Sequence, residues 1–111
     1  MSVSTDPVLL APTPVRSLRE TYTQVMKALA DPTRLEIVRL VGSASEYACT
    51  SLEEELDISK STISYHVKIL SHAGLLSVRR QGRNFRYTLN QDVLDYYVPN
   101  LLERLNAELG D

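Results

Sequence analysis

The chain predicts a mainly α-helical domain with one small β-hairpin, its elements in the order α-α-α-α-β-β-α. Three observations carry that prediction. Apolar residues recur at helical spacing on both sides of Asp31-Pro32. Ser59 to Gly74 reads as one amphipathic helix, and two alternating segments follow it, Leu76-Ser77-Val78 and Phe85 to Leu89, around a turn at Gln81-Gly82-Arg83-Asn84. After Asn90, Leu94, Val98, Leu101, Leu105 and Leu109 recur at spacings of 4, 3, 4 and 4.

The elements follow in order. Residues 1–14 contain Pro7, Pro12 and Pro14 among small polar and aliphatic residues, and are expected to form a disordered or extended arm. Residues 15–111 then form one domain, since 111 residues leave no room for a second. Leu18, Tyr22, Val25, Met26 and Leu29 share one face of the first helix. That stripe reads as core, with Leu18 and Tyr22 also candidates for contact with a second copy. Asp31 is placed to cap a second helix and Pro32 to occupy its first position. Leu35, Ile37, Val38, Leu40 and Val41 make this helix nearly all buried.

Thr50-Ser51-Leu52-Glu53 has the form of a capping box, so a short third helix is expected from Ser51 to about Leu56, with Glu53, Glu54 and Glu55 near its N-terminus. Asp57-Ile58-Ser59 is the turn, Ser59 the next cap, and Gly74 the C-terminal stop. Two helices joined so tightly, the second basic outside, make a helix-turn-helix, and the hairpin behind it makes a winged helix-turn-helix. Asn90 is expected to cap the last helix, and Pro99 to kink or restart it.

Charge is unevenly placed. From Ile58 to Gln91 there are six Lys or Arg residues and no Asp or Glu, in a chain whose net charge is −2. A basic helix beside a basic hairpin is the footprint of a surface that docks on phosphates, so double-stranded DNA is the expected partner. With Ile63 on the buried side of its helix, Val67 and Leu70 fall beside it, and Ser61, Ser64, Tyr65 and Lys68 lie opposite, facing base edges; the plain alternative is a solvated polar face. Ser59 and Lys60 at the helix start suit phosphate contact. Arg83 at the hairpin tip suits a minor groove, and Arg79, Arg80 and Arg86 suit phosphates. His66 is read as a packed or hydrogen-bonded histidine and His72 as solvated. Cys49, the one cysteine, excludes an internal disulfide and reads as a buried thiol. No nucleophile–base pair, phosphate loop or metal constellation points to an enzyme or a cofactor. No apolar run is long enough to cross a membrane, so a cytoplasmic location is expected.

Ala28-Leu29-Ala30-Asp31-Pro32-Thr33-Arg34-Leu35-Glu36-Ile37 resembles the second-helix opening of the ArsR/SmtB repressors. Ser59 to Leu70 resembles their recognition helix, and Ala73-Gly74-Leu75-Leu76 with Gln81-Gly82-Arg83 resembles their wing. The resemblance, over about Leu18 to Leu105, implies a homodimeric repressor that binds an inverted repeat and releases it to an inducer. It also locates the family's metal ligands. One site falls on Ala48 and Thr50, with Cys49 between them, and the other on Gln91, Val93, Arg104 and Ala107. Neither set offers the thiolate or imidazole ligands that soft and borderline metals need, so no metal is expected and any small-molecule inducer stays unidentified. Dimer contacts are expected from Leu18 and Tyr22 and from Leu94, Val98, Leu101 and Leu105. A second reading of the same fold is a protein-interaction module whose basic block meets an acidic partner.

Overall fold

The computed structural model describes residues 16–110. The arm expected at residues 1–14 lies outside them. The order is α1 (Leu18–Leu29), α2 (Pro32–Val41), β1 (Tyr47–Ala48), α3 (Cys49–Leu56), α4 (Lys60–His72), β2 (Leu76–Gln81), β3 (Asn84–Leu89), α5 (Gln91–Tyr97) and α6 (Leu101–Gly110). The winged helix-turn-helix is therefore as expected, with two additions: a third strand and a divided last helix.

Local chemistry sets most boundaries. Ser17 closes a reciprocal capping box with Glu20 at the start of α1. Asp31 accepts the backbone N–H of Arg34 at 2.9 Å, with Pro32 at the first position of α2. Ser59 accepts the backbone N–H of Thr62 at 3.2 Å. Beyond α4, Gly74 takes φ +84, the Leu75 N–H reaches the Leu70 carbonyl, and the Gly74 N–H reaches Ser71. Those two bonds form a Schellman stop, which a side chain at Gly74 would strain. In the hairpin Gln81 pairs with Asn84, Gly82 takes φ +64, and Arg83 does not, the signs expected of a II′ turn.

The third helix departs from expectation. It starts at Cys49, two residues early, and its N-cap Ala48 makes no side-chain bond. The capping box at Thr50 and Glu53 does not form, and no acidic residue sits in the first turn. The cause is the third strand. Tyr47 pairs with Tyr87 and Ala48 with Arg86, so the sheet runs β1-β3-β2 and carries the chain straight into the helix. Cys49 is thereby buried beside Tyr87, and burial followed by the Cys49 contact pushes the Tyr87 phenol well above its ordinary range.

The core is one cluster. Val25, Ala28, Ile37, Val38, Val41, Leu52, Ile63, Leu70, Leu75, Tyr87 and Leu94 are all at or near complete burial. The α1 stripe splits. Val25 and Leu29 turn inward, while Leu18, Tyr22 and Met26 stay in a partly exposed row beside them. The C-terminal stripe also splits, because the helix stops at Val98-Pro99-Asn100 and restarts with Asn100 at φ +67. Leu94 is fully buried within its own protomer and has no surface for a second copy, which corrects that expected dimer contact. Val98 and Leu101 pack partly on the same core, Leu105 is half-buried and Leu109 is exposed. The chain after α5 passes close over Gly42, where an added Cβ would lie 2.9 Å from both Leu102 and Leu89. Glycine is needed there for space.

Asn90 does not cap α5 with its side chain. Its amide donates to the Gly74 carbonyl at 2.8 Å and accepts from the Ser77 hydroxyl at 3.0 Å, and its N–H reaches the Leu75 carbonyl at 2.8 Å. One residue thus joins the end of α4, the start of the wing and the start of α5.

Candidate nucleic-acid interface

Capping at both ends fixes α4, and its apolar stripe of Ile63, Val67 and Leu70 fixes its rotation. The opposite side therefore presents Ser61, Ser64, Tyr65 and Lys68 to solvent, with Tyr65 61% exposed. Among the described residues the Lys68 ammonium has no hydrogen-bond or ion-pair partner, and neither has the Arg83 guanidinium at the hairpin tip. Both are free to meet an anion.

The other candidates are placed differently. Ser59 is occupied within the turn, its hydroxyl 3.1 Å from that of Ser61 and 3.0 Å from that of Thr62. Lys60 leans to the wing, donating to the Arg83 carbonyl at 3.4 Å with its ammonium 5.6 Å from the centre of the Phe85 ring. It bridges the helix start to the hairpin tip while keeping its charge at the surface.

Strand register sorts the wing arginines. Val78 lies opposite Tyr87 and Arg80 opposite Phe85. Alternation puts these four on one face, toward α4. Between that face and α4 runs an open groove of about 250 Å3, walled by Ser64, Lys68 and Ser71 on one side and Val78 and Phe85 on the other. Arg79 and Arg86 oppose each other on the far face. Arg80 donates to the Gly82 carbonyl at 3.1 Å and Arg86 to the Gln81 side chain at 2.8 Å. Arg79 donates to both oxygens of Glu46, at 2.7 and 2.8 Å. That bond holds the Glu46 carboxyl below its usual range and raises the guanidinium in turn.

His66 is hydrogen-bonded, as expected: its Nδ1 lies 3.2 Å from Arg34 Nη1. Because a guanidinium only donates, Nδ1 accepts and the ring is neutral in this contact. Arg34 also donates to the Ala28 carbonyl at 2.7 Å, so it joins the end of α1, the start of α2 and the middle of α4. Glu46, Arg34 and Asn90 were not legible as parts of this site, since each partner lies many residues away.

Comparisons with known proteins agree with this architecture. A helix-turn-helix domain family matches residues 29–79. YceK of Bacillus subtilis (strain 168), an uncharacterized HTH-type transcriptional regulator, is 41% identical over 74% of this chain and 83% of its own length. The arsenical resistance operon repressor of Staphylococcus xylosus is 39% identical over 69% of this chain and 73% of its own length. The homodimeric winged helix-turn-helix DNA-binding domain Mb0332 of Mycobacterium bovis superposes with a TM-score of 0.65 at 25% identity, covering 86% of this chain and 91% of that one. With the capped and outward-facing α4, the basic wing and these relatives together, the chain belongs to the ArsR/SmtB-type family of winged helix-turn-helix transcriptional repressors.

Proposed function

We propose that residues 15–111 form a homodimeric repressor that binds an inverted-repeat operator in double-stranded DNA. The observation that carries it is the outer face of α4. Ser61, Ser64, Tyr65 and Lys68 form a solvent-facing patch with no carboxylate, on a helix locked at both ends. In a major groove the hydroxyls and the ammonium meet base edges and Tyr65 meets a phosphate or a thymine methyl. Arg83 reaches the neighbouring minor groove. Ser59, Lys60, Arg80 and Arg86 take phosphates, each by turning from a weak internal bond.

A two-fold dimer brings two such surfaces about 34 Å apart, one turn of DNA. The row Leu18, Tyr22 and Met26 on α1, with Tyr96 on α5, supports that dimer. These apolar side chains are partly or largely exposed, and Tyr22 stacks edge-on against Tyr97 at 4.7 Å between ring centres. Val98, Leu101 and Leu105 extend the same proposal along the C-terminal segment. The Mycobacterium neighbour is a homodimer, which favours the same assembly here. The arsenical response named for the Staphylococcus relative is not carried over, because the family's ligand positions hold Ala48 and Thr50 in this chain.

Titrating binding against salt on duplex fragments tests the reading. Lys68→Ala and Arg83→Ala should each weaken binding and flatten the log–log salt slope by about one. Unchanged affinity and slope in both variants, or equal binding to every duplex offered, would remove the assignment and favour an acidic protein partner instead.

A further inference from the structure

Arg79 and Arg86 stand directly opposite on one face of the wing. Like charges at such a pair repel. The chain places one carboxylate against them. Glu46, on the segment leading into β1, takes both hydrogen bonds of the Arg79 fork and also feels Arg86. A fork on two oxygens is also how arginine holds a phosphate. The pair is half-exposed, and an ion pair of that kind adds little to stability, so it opens at small cost.

We infer that Glu46 is an internal substitute for a DNA phosphate, which keeps Arg79 from the backbone and so sets how tightly and how salt-dependently the protein binds. This rests on the DNA-binding reading above. In the free protein the carboxylate satisfies the arginine pair. On DNA it must either be displaced by a phosphate or remain as a negative charge beside one. Both cases weaken binding relative to a neutral side chain at position 46. The residue therefore tunes affinity from outside the surface that reads bases, and equally for every operator sequence.

The test is Glu46→Gln in the full chain, measured on one operator duplex and on an unrelated duplex at several salt concentrations. The neutral amide keeps the shape and leaves the guanidinium free for phosphate. Affinity should rise on both duplexes, and the log–log salt slope should steepen by about 0.9, the increment for one added phosphate contact. The advantage over wild type should then be roughly threefold larger at about 50 mM than at about 200 mM salt. Adding Arg79→Gln to Glu46→Gln should return the slope to the wild-type value. A Glu46→Gln protein with an unchanged slope overturns the inference, as does a gain that survives the second substitution. Weaker binding by Glu46→Gln also overturns it, and would mean that the carboxylate positions Arg79 for DNA. A wild type that binds neither duplex removes the DNA-binding reading itself, a separable result.

Discussion

Helix α4 and the α1–α5 face each carry an apolar stripe, but only one stripe is used up within the protomer. Ile63, Val67 and Leu70 of α4 are buried to 4% exposure or less. On α1 and α5, Leu18 stays 58% exposed and Tyr96 62%. Both stripes have the same helical period. They differ in width. The α4 stripe is one row that fits the core, whereas α1 carries a second row, Leu18, Tyr22 and Met26, beside Val25 and Leu29. Surplus width, not apolar content, marks the surface left for something else.

Truncation should separate the two regions most sharply. Leu70→Ala removes a fully buried side chain from the packed face of α4, and should cost about 2–5 kcal/mol in urea unfolding. A loss well under 1 kcal/mol would mean that α4 is not anchored as described. At the other region Tyr96→Asp should leave the fold intact and convert a dimer to monomers in sedimentation equilibrium. The loss there is about 1.5–3 kcal/mol for each large apolar side chain no longer covered. A variant that stays dimeric, or a monomeric wild type, would make the surplus row of α1 an ordinary exposed surface.

The smallest effect belongs to the joint between the regions. Asp31 caps α2 just after α1 ends, and its bond to the Arg34 N–H lowers its carboxyl from the ordinary 3.8. A lowered folded value means that this stabilisation is fully present above the ordinary value and fades as pH falls through the lower one. Asp31→Ala should cost about 0.5–2 kcal/mol at neutral pH, and its difference from wild type should shrink in acid. A difference that does not depend on pH down to the acid limb would show that the cap acts through something other than its charge.

The fold was legible in the sequence where signals were local. Asp31-Pro32, Ser59 and Gly74 each declare a helix end within a few residues, and all three hold. The box at Thr50 and Glu53 was equally local and failed, because Tyr47 and Ala48 pair with residues some forty positions later. The last helix showed only its period. Whether Leu94 faced its own core or a second copy depended on tertiary packing. In the site, the outer face of α4 followed from its inner face. The wing arginines did not, since what distinguishes Arg83 from Arg79 is the presence of Glu46, a neighbour in space alone.

Asn90 gives this architecture a mechanical property. Through the carbonyls of Gly74 and Leu75 and the hydroxyl of Ser77, it clamps the C-terminal segment to the end of α4 at a single pivot. The 13 residues of α4 extend about 20 Å from that pivot. A rotation there of roughly 3° carries the far end of such an arm about 1 Å. In a two-fold assembly both arms swing together and the change in span doubles, so the gauge between paired recognition surfaces is adjusted from the fulcrum, far from any base.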